Sequence, residues 1–534
     1  TKITVTMTVP DSFNQNFLEV STPTIHIPDT CTAPDIALKY PVTPLAACVS
    51  MVTTAIGVGV LLLPHLYVNI GFLEGILWTI IAASMLGLMC VVYVKSLEIA
   101  ERLRVMRMKG GKLLNENNVN SIVTEDVNQY RNQDEVSHKI QNFDDSQQEF
   151  KKFQVTKKIF RMEDLAEFCF NNRFYFWVVI ITVNFTAFAI CLSFHILLGD
   201  LLSGIAQIGG DNGSHSQLYW KLICVAPLTI SCLPKDMRII ARFGFLGVIG
   251  VLIVITAITI TSVEALKNID ESSKNIDKAE FFVKSQSLKD ALDGLSTFVF
   301  SCGCLLVIPS LYQDMNANGR KKLNYSITLA HVTVIIVFLS VSIPGYAAFG
   351  KLAPAEFLDP NGVVHQKYYA SWLTGTIAVL IHSFIVYPLL MNGPIRAIED
   401  FLPDKFIFRL LIRCSLVLTT FGLACTPISF FAEIVGLVPA TTSGLFALVW
   451  PPCFYWKLRW MEAIEIENSI IDKNRNNNHS KVENSNTIGF SCILKTWKRK
   501  VEFGVHFLIV LVAFVAIFFG IWGQIDNLLD KLKK

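Results

Sequence analysis

Apolar and polar positions along this chain fall into long blocks rather than short alternations. Stretches of about 20 residues nearly free of charge recur, the length an α-helix needs to cross bilayer hydrocarbon. They predict eleven spans, at roughly 44–68, 72–94, 174–199, 218–234, 239–263, 291–312, 326–349, 369–391, 408–426, 429–450 and 503–524. If the chain runs through Thr426-Pro427-Ile428 as one bent segment, two of these merge and the count is ten. The fold class is therefore all-α and polytopic. The expected partition is a tail over 1–43 and a first five-span set over 44–263, which carries an inserted polar loop at 96–160. A loop at 264–290 and a second set over 291–450 follow, then a loop at 451–502, the eleventh span and a tail over 525–534. Residues 101–158 are rich in Asn, Gln, Asp and Lys with few aromatics, so they are not expected to fold alone. Residues 468–488, with Asn474, Asn476, Asn477 and Asn478, read the same way.

Composition sharpens this reading. Of 534 residues 52% are apolar and 17% charged, too little charge to cover a soluble domain of that size. A net charge of +3 gives no reason to expect a nucleic-acid partner. The distribution of charge says more. Eleven basic residues lie in 96–160 and nine in 451–500, with Lys235, Arg238 and Arg242, then Arg320, Lys321 and Lys322, in short turns. All four segments fall on one side of an eleven-span plan, which the positive-inside rule makes cytosolic, N-terminus included. The 13 cysteines lie mostly within spans; no disulfide framework and no metal-ligand spacing follows from their positions, and no cofactor is expected.

Two spans carry matched punctuation. In the first, Ala55-Ile56-Gly57-Val58-Gly59-Val60 precedes Pro64; in the sixth, Phe300-Ser301-Cys302-Gly303-Cys304 precedes Pro309. Helix packing would explain one such Gly-x-Gly. A pair opening two successive five-span sets points instead to broken helices of the kind that inverted-repeat transporters use at the bilayer midplane. Unwinding frees N–H groups for an anion and carbonyls for a cation, and a free amino acid carries both charges on adjacent atoms. The expected substrate contacts are Gly57, Val58, Gly59, Ser301, Cys302 and Gly303, with Thr53, Thr54 and Phe300 beside them. The ionisable residues that stand out in the spans are His65, His195, His331, His382 and Glu433, with Glu74 and Asp200 at ends. Histidine titrates near neutral pH, so this set suits proton coupling.

Gly57-Val58-Gly59-Val60-Leu61-Leu62-Leu63-Pro64, followed by Gly71-Phe72, resembles the first-span signature of the amino acid/auxin permease family, within the amino acid-polyamine-organocation superfamily. The resemblance continues at Glu163-Asp164-Leu165-Ala166-Glu167-Phe168, Leu198-Gly199-Asp200, Phe298 to Pro309 and Pro344-Gly345-Tyr346. It runs on through Tyr387-Pro388, Pro394-Ile395-Arg396, Pro427, Gly436 and Pro451. It implies the broken-helix, LeuT-like fold of two inverted five-helix repeats plus an extra helix, with spans 1 and 6 broken, and an amino-acid substrate. By the same resemblance the eighth span adjoins the first, which makes His382 the leading coupling candidate ahead of Glu433, His65 and His331. Two departures matter. Sodium-coupled members tend to carry Asn where this chain has Thr53, so protons are favoured over sodium; Gly-His is common where Gly303-Cys304 stands, so the family's specificity does not carry over residue by residue there. A secondary transporter in a plasma membrane or an acidic vacuole-like organelle is expected; a sensor of the same fold, or a carrier without ion coupling, remains open. A membrane enzyme would need a catalytic set, and a channel would need charge rings or a repeated filter; the sequence shows neither.

Overall fold

The computed structural model describes residues 42–56, 59–125, 161–208, 217–234, 237–272, 295, 298–299, 303–350, 353, 357–358, 364, 367–403, 405–425, 439–477, 493–494 and 496–532. Helices account for nearly all of them, and no strand occurs among the described residues. This follows from the solvent the sequence implies, since a lipid-facing backbone must satisfy its own N–H and C=O groups.

Helix α1 (Pro44–Ala55) starts where the Thr43 side chain accepts from Ala46 N, with Pro44 pre-set for the first turn. It stops at Ile56, and α2 (Gly59–Ile70) sets off at 53° to it. Gly71, at φ 98°, makes the turn into α3 (Phe72–Glu125), a backbone conformation that a side chain would strain. A short helix α4 (Met162–Phe170) then leads to α5 (Arg173–Ile208), α6 (Gln217–Cys232) and α7 (Met237–Ser272). In the sixth predicted span, residues 295, 298 and 299 are helical. Past Gly303 the chain passes through a 3₁₀ turn (Cys304–Val307) into α8 (Ile308–Asp314). The remainder is α9 (Ala317–Phe349), α10 (Tyr369–Glu399), α11 (Phe406–Ala424), two wide π turns over Pro439–Ser443 and Leu445–Val449, α12 (Trp450–Asn477) and α13 (Trp497–Leu532).

Seven described helices are long and apolar enough to cross a membrane, eight if the bent α1–α2 pair is one span. Their exposed faces carry large apolar side chains such as Ile181, Phe245, Ile336 and Phe518, which suits a lipid surround. The core has α1 at its centre, packed against α7, α9 and the 3₁₀ turn, while α10 lies along α5 and α7. Helix α2 approaches α9 so closely that a Cβ on Gly345 would come within 2.7 Å of the Pro64 ring.

Two segments depart from expectation. Helix α3 does not end at the membrane but runs on through 101–125, where a polar loop was expected. Its neighbour α12 likewise continues past the apolar block, to Asn477. Where the two helices leave the apolar block, Arg102 pairs with Glu462 at 3.1 Å and Arg107 with Glu465 at 3.6 Å. Predicted features at Thr426-Pro427-Ile428 and Glu433 lie outside the described residues.

Candidate functional site

The last turn of α1 carries two buried hydroxyls, Thr53 and Thr54. Thr53 Oγ1 lies 2.8 Å from Val49 O in its own helix and 3.1 Å from Gly244 O of α7, which ties the two helices together just before the break. Thr54 donates to Ser50 O at 2.7 Å. Both are buried, and both hydroxyl hydrogens are spent on backbone carbonyls, leaving lone pairs as the only unused capacity. Gly59, also buried, opens α2. Gly303 precedes the 3₁₀ turn. Of the other expected contacts, Gly57, Val58, Phe300, Ser301 and Cys302 lie outside the described residues.

The histidines separate by surroundings. His382 of α10 is buried and donates from Nδ1 to Gly247 O at 3.1 Å, one turn along α7 from the carbonyl that Thr53 uses. A cavity of about 20 Å³, room for a single water, lies against it and against Ile56, Val60 and Leu61 on either side of the first-span break. Ser383 also lines this cavity, and its Oγ has no hydrogen-bond partner among the described residues. The structure thus brings His382, Thr53 and the end of α1 to one joint. His65 donates to Ala353 O at 2.9 Å, and His195 bridges Thr420 Oγ1 and Lys221 O, each at 3.0 Å. His331 donates from Nδ1 to Ile327 O in its own helix.

A larger cavity of about 360 Å³ lies between α4, α5, the sixth-span segment and the end of α10. Leu305, Leu306 and Pro309 form one wall; Asn184, Asn392 and Gly393 add polar groups. Arg161 sits at its mouth, paired with Asp400 and 3.5 Å from both Glu163 and Asp164. Burial pushes the Glu163 carboxyl above its ordinary range, and Arg161 only partly offsets this. Its volume is within the range of small-molecule sites, and its polar mouth suits a zwitterion.

Sequence reasoning passed over two buried cations. Lys221, inside the predicted fourth span, donates to Ala424 O at 3.2 Å and lies 3.6 Å from Asp200. Arg413, inside the ninth, grips the Glu399 carboxylate at 2.8 and 3.2 Å, and reaches Cys232 O at 2.8 Å as well as Leu233 O. A lone Lys or Arg within an apolar window is itself the signal that finds such groups. Residues 146–476, more than half of the chain, match the family described as transmembrane amino acid transporter protein.

Proposed function

The chain belongs to the transmembrane amino acid transporter family, and from that premise we propose a secondary-active carrier that moves amino acids by alternating access, coupled to protons. It is a multi-pass integral membrane protein and its substrate class is amino acids. In this reading the eleven spans form two inverted five-helix repeats, 44–263 and 291–450, with the span at 503–524 added. The breaks near Gly57–Gly59 and Ser301–Cys304 hold the substrate through backbone groups, and Thr53, Thr54 and Phe300 complete the surround. The N-terminus and the loops at 96–160 and 451–502 face the cytosol, in a plasma membrane or an acidic organelle.

One observation carries the coupling: His382 and Thr53 meet the same helix at Gly247 and Gly244, beside a water-sized cavity at the bend between α1 and α2. A proton taken up by His382 on the acidic side weighs on the two orientations of the carrier if its affinity differs between them. Each proton moved down one pH unit supplies about 1.4 kcal/mol, enough for roughly tenfold accumulation at one proton per substrate. The test is uptake of labelled amino acid into proteoliposomes under an imposed pH gradient with sodium absent, for the natural protein and for His382→Ala. Gradient-driven uptake that His382→Ala loses supports the assignment. Sodium-dependent uptake indifferent to pH refutes proton coupling, and normal proton-driven uptake by His382→Ala clears that residue in favour of His65 or Glu433.

A further inference from the structure

Where the chain leaves the sixth-span break, three soft ligand groups from three different segments converge. Cys90 comes from α3, Cys304 opens the 3₁₀ turn and His331 comes from α9. All three are buried, and their ligand atoms lie within 4.8 Å of one another. Cys90 Sγ is 3.9 Å from Cys304 Sγ, which is 3.5 Å from His331 Nε2. A tetrahedral zinc ion, with bonds of about 2.3 Å to sulfur and about 2.0 Å to nitrogen, sets two sulfurs about 3.8 Å apart and sulfur from nitrogen about 3.5 Å apart. The two spacings present are close to these.

The histidine is also oriented as a ligand. Its Nδ1–H donates to Ile327 O at 2.8 Å, which fixes the tautomer and leaves the Nε2 lone pair facing Cys304. Gly87, one turn before Cys90, makes room for the ring; a Cβ there would come within 3.0 Å of His331 Cγ. Charge completes the case. Two thiolates, one neutral imidazole and Zn²⁺ sum to zero, the net charge that a low-dielectric interior accepts at least cost, whereas Cu⁺ on the same ligands leaves a net negative charge.

We propose that Cys90, Cys304 and His331 form a zinc site that clamps the second, sixth and seventh spans together at the sixth-span break. As zinc binds, each thiol loses its proton to solvent, two Zn–S bonds and one Zn–N bond form, and one coordination position is left for water. The 360 Å³ cavity is lined by Leu305, the residue after Cys304. Occupancy fixes the turn that must move if the sixth span takes part in reorientation, so zinc inhibits transport.

The experiment uses the full chain, purified in detergent and stripped with chelator. Titration with Co²⁺ should give thiolate-to-cobalt charge-transfer absorption at one ion per chain, bleached by Zn²⁺. Cys90→Ala should lose that band and hold zinc at least about tenfold more weakly, since loss of a direct ligand exceeds the loss of a supporting contact. Cys224→Ala, outside the cluster, should keep both. In proteoliposomes zinc should inhibit amino acid uptake by the natural protein and spare Cys90→Ala. No charge-transfer band, a band unchanged in Cys90→Ala, or binding of Cu⁺ alone would overturn the zinc site; binding without inhibition would overturn the clamp. The optical readout is independent of transport, so its failure is distinct from failure of the transporter reading.

Discussion

Gly247→Ala is the sharpest probe of the joint between α1, α7 and α10. A Cβ at this position would lie 2.5 Å from Thr53 Cγ2, a distance that real contacts do not reach, so either Thr53 or α7 must shift. The next nearest atoms, Thr53 Cβ and His382 Nδ1, are both at 3.6 Å, ordinary van der Waals separations. The conflict is therefore with a single methyl group. Overpacking of this kind costs about 1–3 kcal/mol. The higher helix propensity of Ala does little to offset it, because helices in a bilayer persist when their packing is lost. Thr53→Ser removes the methyl and keeps the hydroxyl that reaches Gly244 O. In the Thr53→Ser background Gly247→Ala should then be close to neutral, a coupling of about 1–3 kcal/mol between the two positions. Unfolding in mixed micelles, followed by tryptophan fluorescence, measures all four corners of the cycle. Uptake should follow the same pattern, since displaced Thr53 and Gly247 also disturb His382. An equal cost for Gly247→Ala in both backgrounds would refute the contact.

Arg413→Ala should destabilise by about 3–5 kcal/mol, because it leaves the Glu399 carboxylate and two helix-end carbonyls without their cation. The double change Arg413→Met with Glu399→Met should recover most of that loss in the same unfolding assay. Gly59→Val should abolish amino acid binding in a scintillation proximity assay while leaving the protein monodisperse, since a branched side chain would fill the opening turn of α2. The Glu163 carboxyl, raised by burial, keeps its proton in the folded protein at pH values where the unfolded chain has released it. Stability should then fall as pH rises from the ordinary carboxylate value through the folded one, and Glu163→Gln should flatten that slope.

What the sequence disclosed and what it withheld have physical causes. The helices in the apolar blocks were legible because lipid demands one property of them, continuous hydrophobicity over a fixed length. The interruption after Ala55 was legible from Gly57-Val58-Gly59, where the helix that starts at Pro44 ends and a second begins at Gly59. The polar stretch of α3 was not, because its composition is that of a loop and the partners of Arg102 and Arg107 lie more than 350 positions away. The same holds for Arg413, whose carbonyl partners lie on α6 and beyond its end, and for the cluster of Cys90, Cys304 and His331. Ligands on three separate segments leave no spacing motif to read. His382 could be favoured only through resemblance, since nothing along the chain says which helix it faces.

Helix α3 rises about 81 Å end to end, against roughly 30 Å of bilayer hydrocarbon. Some 27 Å of it extends beyond Arg107, at about 1.5 Å per residue. A helix of that length is a pointer. Each degree by which the second span tilts sweeps Glu125 sideways by about 0.5 Å relative to Arg107, so small rocking at the membrane is written large at the tip. A fluorophore at Glu125 paired with one on α13 would read that angle in real time, and would report the working cycle even for substrates too slow to follow by accumulation.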